Sequence, residues 1–313
     1  MKQSQPLRIE SSEFASFGTS RTARSHLWFV NNQTLERRIL GFLAKYREKY
    51  RIPLYAMVFS GSHYHLLTRF PECNRAMFYR DFNARIAEAV RSLVRSFGGG
   101  QVFARRYAEQ AVPTNQDILE RFFYCALQPV MTGLCRSISD YPGYNSFYDA
   151  IYGRVRKIKV IEFSRYQQAK RYRRNARPDE YSVEYELRYE RLPGFEHLTQ
   201  KEYARVMLAE IQKRTAKIVA AWERKGHVYM TKTKLRNVSP SSTAKRPKIS
   251  TRLTFRPLVL TSSQRARKLF LSWYFDIYKK YKKAVARYTN GDTAVIFPPG
   301  TYRPPLYMTP TFS

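Results

Sequence analysis

The stretch FSGSHYHLLTRF (59–70) places two of the chain's five histidines, His63 and His65, on alternate positions in an apolar run. In a strand, residues two apart share a face, so the two imidazoles stand side by side while Tyr64, Leu66 and Phe70 turn the other way. The pair suits a divalent-metal clamp, and it equally suits two hydrogen-bonded surface histidines. A second set lies at 115–128, where helical spacing puts Leu119, Phe122, Phe123 and Ala126 on one side and Asp117, Arg121, Tyr124 and Gln128 on the other. Tyr124 and Gln128 are four apart, one turn above the other. Tyrosine offers a hydroxyl nucleophile and glutamine a neutral oxygen ligand. With 24 tyrosines in the chain, the commonplace role for Tyr124 is packing. Pro129 disfavours helical geometry at Gln128, so the last turn is loosened.

These side chains need elements to hold them. HLWFVN (26–31) reads as a first strand, and the spacing from Thr34 to Tyr50 as a helix ended by Pro53. LYAMVF (54–59) is a second strand, and Ser60-Gly61-Ser62 a tight turn into an antiparallel third, 63–70. A helix follows over about 74–97, stopped by Gly98-Gly99-Gly100, and then a strand within 101–112. The order β-α-β-β-α-β predicts an α/β (α+β) fold, a ferredoxin-like antiparallel sheet with helices packed on one face. Thr114 or Asn115 caps the next helix.

Beyond Tyr152 the composition shifts. Residues 153–178 carry ten basic residues and one acid, which fits a solvated linker, a basic arm, or a strand and helix laid along a phosphate backbone. A long helix runs from the capping box Thr199/Glu202 to Gly226, with Tyr203, Val206, Met207, Ile211, Ile218, Val219 and Trp222 as its buried stripe. Another spans about 262–290 with Leu269, Phe270, Trp273, Ile277, Tyr281 and Val285 inward, followed by an extended proline-rich tail. The expected division is a tail at 1–20, a catalytic domain at 21–152, a basic segment and long helix at 153–236, a flexible linker at 237–252, and a C-terminal helix and tail at 253–313.

A net charge of +32 and 15% aromatic residues point to a polyanionic partner whose bases can be stacked upon, nucleic acid first. The sequence shows neither a run of about 18 apolar residues nor a secretory signal, so a cytoplasmic, nucleoid-associated protein with no membrane partner is expected. Cys73, Cys125 and Cys135 match neither a disulfide framework nor a zinc pattern and read as reduced and structural.

HYHLL, YCALQPVMTGL (124–134) and DYPGYNSF (140–147), in that order, resemble the single-tyrosine HUH transposases, most closely the REP-associated tyrosine transposase group. The resemblance covers roughly 20–150. It implies that His63, His65 and Gln128 bind a divalent ion, Mg²⁺ or Mn²⁺, and that Tyr124 attaches covalently to a DNA 5′-phosphate. Two departures stand out: Ser60-Gly61-Ser62 replaces the family's Met-Pro-Asn, and Gln128 replaces its commoner Asn. The implied activity is metal-dependent cleavage and transfer of single-stranded DNA at hairpin-flanked sites, by a monomer or homodimer. Arg105, Arg106, Tyr107 and Arg121 are the expected DNA contacts. The alternatives are a catalytically silent hairpin-binding protein and an RNA-binding module on the same sheet, though the aromatic pair that such modules stack on is missing.

Overall fold

The computed structural model describes residues 6–240, 242–244 and 257–305. Its central sheet begins earlier than the apolar pattern suggests. The first strand is β1 (Ala15–Arg21), whose residues are mostly small and polar. Residues 26–31 form an irregular turn instead. There Trp28, Phe29 and Val30 are buried, while Phe29 N–H donates to Gly61 O (3.0 Å) and Leu27 N–H to Ser242 O (2.9 Å). The apolar run thus marks burial, and its backbone is satisfied by loops on either side.

The order then follows the expected one: α1 (Gln33–Lys49), β2 (Leu54–Phe59), β3 (His63–Arg69), α2 (Arg75–Leu93) and β4 (Ala108–Val112). The four strands pair antiparallel in the spatial order β2-β3-β1-β4, the ferredoxin-like arrangement in which β3 splits the β1–α1–β2 unit. Gly61 turns β2 into β3 at φ +57°, where a side chain would be strained. β4 is shorter than the 101–112 ribbon, because Ala104, Arg105 and Arg106 run exposed ahead of it.

The helices do not all share one face. Tyr64 on β3 packs against Phe82 of α2 (ring centroids 5.7 Å) and donates a hydrogen bond to Asn83 Oδ1 (2.7 Å). Gly18 on β1 is required there, since a Cβ would overlap the Tyr79 hydroxyl. The opposite face is covered by α3 (Asn115–Ala126), whose start is capped by Thr114 Oγ1 accepting from Asp117 N–H (3.1 Å). The two helices of the β-α-β-β-α-β unit, α1 and α2, pack side by side on one face as expected, and α3 covers the other, so the sheet is a filled middle layer.

Two short helices follow, α4 (Gln128–Met131) and α5 (Phe147–Ile151). The basic stretch then folds as β5 (Arg156–Ile161) and α6 (Phe163–Tyr172). With β6 (Ser182–Leu187), β5 forms a ribbon outside α1, where Ile158 and Val160 meet Gly41. The capping box forms at the start of α7 (Gln200–Glu223), as the sequence predicts. Its buried stripe is Tyr203, Ala204, Met207 and Ile211, while Val206 is exposed. After α8 (Lys232–Arg236), Ser242 and Ala244 pair with Leu27 and Ser25, so this part of the expected linker is pinned to the core. Residues 245–252 of that linker lie outside the described residues.

The last helix is α9 (Gln264–Thr289). It buries Phe270 and Tyr274 against Ile9 and Phe14, in a second apolar cluster at the β4 edge. Leu269, placed inward by the sequence pattern, faces solvent instead. The proline-rich tail is not extended throughout: it turns at Pro298–Thr301, and Gly300 O accepts from Glu10 N–H (2.8 Å).

Candidate active site

β3 presents His63 and His65 on the α3 side, with ring centroids 4.9 Å apart at 80°. The antiparallel register sets Phe17, Thr19 and Arg21 of β1 opposite Leu67, His65 and His63. Thr19 Oγ1 lies 2.8 Å from His65 Nδ1, and Phe17 stacks on the same imidazole (5.0 Å, 21°). His65 is thereby held in orientation. When Nδ1–H donates to the Thr19 hydroxyl, the lone pair sits on Nε2, the nitrogen that would ligate a cation.

α3 lays Tyr124 over this pair. Its ring centroid is 5.7 Å from His65 and 5.6 Å from Phe17, edge-on to both. The Arg121 guanidinium lies 5.1 Å from the Tyr124 ring centroid, so a fixed positive charge accompanies the hydroxyl-bearing ring. Gln128 is buried, but α3 ends at Ala126 and Gln128 opens α4, so the two residues do not share one continuous helix. Pro129 is the cause, as its ring disfavours α geometry at the residue before it.

The third motif secures this arrangement. Residues 144–146 run along the free edge of β2: Phe59 N–H donates to Tyr144 O (3.0 Å) and Ser146 N–H to Met57 O (2.9 Å). Asn145 Nδ2 donates to Ala126 O (2.8 Å), which fastens the end of α3 to that edge. On the far side, His227 Nε2 meets Gly133 O (2.8 Å), and a Cβ at Gly133 would come 2.6 Å from the same ring. The tyrosine helix is thus pinned from two sides.

Cys125, beside Tyr124, is fully buried, and burial pushes its thiol far above the ordinary range. Free cysteines are found at all three positions, with Cys73 the exposed one.

Arg105 and Arg106 are exposed in the loop before β4, where they rim a cavity of about 450 Å³ on the α2 side of the sheet. Tyr107 is different. It is 5% exposed, stacked on Tyr79 at 3.9 Å and covered by the Arg8 guanidinium at 4.7 Å. Its ring faces belong to protein neighbours, so the expected DNA contact at Tyr107 is corrected to a packing residue. Sequence reasoning missed Phe17, Thr19 and Arg21, because β1 lacks the apolar alternation that reveals a strand. Arg21 shares the histidine face, and its buried Nε has no hydrogen-bond partner among the described residues.

Among the described residues no three His, Cys, Asp or Glu side chains gather as a metal cluster. The two imidazoles standing side by side are neutral nitrogen donors that suit a divalent ion completing its shell with water or phosphate oxygens. No described helix is long and apolar enough to cross a membrane.

No family model matches the chain, and no curated protein matches it. A solved structure of a REP-associated tyrosine transposase bound to a REP hairpin is similar at a TM-score of 0.39 and 18% identity, over 47% of this chain and 84% of that one.

Proposed function

We propose that the chain cleaves and rejoins single-stranded DNA beside hairpins, with Tyr124 as nucleophile. The observation that carries this reading is the placement of the Tyr124 ring 5.7 Å from His65, over a strand face that also bears His63 and Arg21. The Tyr124 oxygen attacks a DNA phosphorus and the bond to the 3′-oxygen breaks. The phenolic proton is lost and the departing 3′-oxygen gains one, so the step is balanced as a transesterification. A phosphotyrosine diester remains, and attack by a second 3′-hydroxyl reverses the exchange and joins the strands without a further energy source.

A tyrosine hydroxyl with the ordinary pKa of about 10 is ionised to roughly one part in a thousand at pH 7, so the attack needs help. Arg121 supplies a positive charge beside the ring on which negative charge grows. Arg21, on the same strand face as the histidines, has the positive charge to hold a non-bridging phosphate oxygen. A divalent ion held by His63, His65 and Gln128 would supply Lewis-acid polarisation of the phosphate when bound.

A labelled hairpin oligonucleotide with a single-stranded flank, mixed with protein and Mn²⁺, is expected to give a covalent adduct on a denaturing gel. Tyr124→Phe abolishes the adduct, and His63→Ala with His65→Ala reduces it at least about 100-fold while DNA affinity stays within a few-fold. An adduct that survives Tyr124→Phe sinks the assignment. DNA affinity without any adduct, across a panel of hairpins, favours the hairpin-binding alternative.

A further inference from the structure

The activity proposed above uses one face of the sheet and leaves α9 without a role. This helix buries Phe270 and Tyr274, with Trp273, Ile277 and Tyr281 partly covered on the same side. Its other face is exposed and basic. Arg265 and Lys268 stand near its start, and Lys279, Lys282, Lys283 and Arg287 near its end. Asp276 is the one acid in the helix, and it is paired with Lys280 at 2.7 Å.

We infer that the outer face of α9 is a binding rail for the phosphate backbones of double-stranded DNA, separate from the tyrosine site. Three observations carry it. The charge is one-sided: Phe270 and Tyr274 are drawn inward and Phe275 is the one strongly exposed aromatic, so the outer face offers cations without the stacked aromatic ladder that single strands use. The spacing suits a duplex. At 1.5 Å per residue, Lys268 and Lys279 are about 16 Å apart along the axis, enough for the two basic groups to straddle a major groove about 12 Å wide. From Arg265 to Lys283 the span is about 27 Å, most of one helical turn of DNA, while Arg287 beyond it is held by Asp292.

The third observation is position. Ser262 N–H, just ahead of α9, donates to Asp117 Oδ1 (3.2 Å) in the first turn of α3. Tyr124 lies two turns further along α3, about 10 Å up its axis. A duplex lying on α9 therefore ends near the helix that carries the tyrosine. The cluster of Ile9, Phe14, Val259 and Phe270 anchors the rail to the β4 edge, so the charges are presented on a fixed support.

This surface does not depend on Tyr124 acting as nucleophile, and its test avoids the cleavage chemistry. Binding of a fluorescent 20-base-pair duplex without hairpin or single-stranded end is measured by anisotropy in EDTA, over a series of salt concentrations. Lys268→Gln/Lys279→Gln/Lys282→Gln/Lys283→Gln is compared with a control that removes the same charge from α7, Lys201→Gln/Arg205→Gln/Lys213→Gln/Lys217→Gln. The α9 variant is expected to bind about tenfold or more weaker at 0.15 M salt, with the slope of log K against log salt reduced by about 0.9 for each lysine that faced a phosphate. The α7 control should keep most of the wild-type slope.

Equal losses in the two variants would reduce the effect to net charge and overturn the proposal. So would an equal loss for a single strand of the same length, or unchanged duplex binding with lost binding to anionic vesicles. Far-ultraviolet circular dichroism of each variant must match wild type; a variant that unfolds is replaced by Lys279→Gln/Lys283→Gln, with half the slope change expected. Loss of duplex binding with adduct formation retained on a hairpin oligonucleotide supports the rail and leaves the tyrosine site standing.

Discussion

His65 shows how much of this site rests on single contacts from a neighbouring strand. Its ring is fixed by the Thr19 hydroxyl at 2.8 Å and by the face of Phe17 at 5.0 Å. Replacing Thr19 with Val keeps the shape and removes this hydrogen bond, so the ring loses a restraint on its orientation and tautomer. Thr19→Val is expected to weaken Mn²⁺ binding about 10- to 100-fold in calorimetric titration, at a stability cost of about 1 kcal/mol. An affinity within twofold of wild type would remove Thr19 from the site. The histidine pair and the position of Tyr124 beside it were legible because the residue types are chemically distinctive and the spacings match a strand and a helix, whereas Gln128 falls outside the tyrosine helix. Thr19 was not. A threonine in a short polar strand has no marking in the sequence, and its role comes from a register that pairs residues far apart in the chain. Tyr107 failed in the other direction: an aromatic beside two arginines reads as a DNA contact, but its burial depends on Tyr79 and Arg8.

Among the elements, the 144–146 segment does more than its sequence reveals, since it covers the β2 edge and holds the end of α3. Glu36 of α1 supports it from below by accepting a hydrogen bond from Tyr144 N–H (3.0 Å). Burial raises the Glu36 carboxyl to about 6, with the Tyr144 bond and Arg156 opposing that rise. Because the folded-state pKa lies above the unfolded one, folding favours the protonated form. The stabilisation is fully present below about pH 4.5 and is lost as the pH rises through about 6. Glu36→Gln keeps an acceptor oxygen and removes the charge, so it is expected to raise stability at pH 7–8 by about 1–2 kcal/mol. Urea melts of wild type and variant between pH 4 and 8 check this. A constant difference across that range would show that Glu36 does not titrate there. The element order and the capping box of α7 were readable, since each rests on local periodicity or a fixed offset. The true β1 was not, because its strand character comes from being paired on both sides.

For the molecule as a whole, the net charge of +32 is organised by an enclosing architecture. Residues 7–10 meet the C-terminal part of the described chain: Tyr274 donates to Leu7 O (3.1 Å), Tyr302 to Glu10 Oε1 (2.9 Å), and Glu10 Oε1 accepts from Ala76 N–H (2.7 Å) in the first turn of α2. Residues 258–260 also cap β4, with Ala111 N–H donating to Leu258 O (2.9 Å) and Leu260 N–H to Ala111 O (2.8 Å). A chain ending at residue 240 would lose the bonds made by Tyr274, Tyr302 and residues 258–260 and bare Ile9, Phe14 and the β4 edge. It is expected to melt at lower temperature, with about 3 kcal/mol or more of stability lost, and to self-associate in light scattering. A monodisperse product with the wild-type melting temperature would show that α9 merely rests on the core.

The amino-acid sequence by itself determined the α-β-β-α-β order that follows β1, the histidine pair, the tyrosine helix, the three motifs and the basic character of the C-terminal half. All of these follow from residue type and from periods of two or 3.6. The tertiary structure alone decided that α3 covers the face opposite α2, that Thr19, Phe17 and Arg21 complete the histidine face, and that Tyr107 is interior. It also decided which side of α9 faces out. These depend on strand register and on contacts between residues tens to hundreds of positions apart, where pairing and burial, not local pattern, determine where a side chain goes.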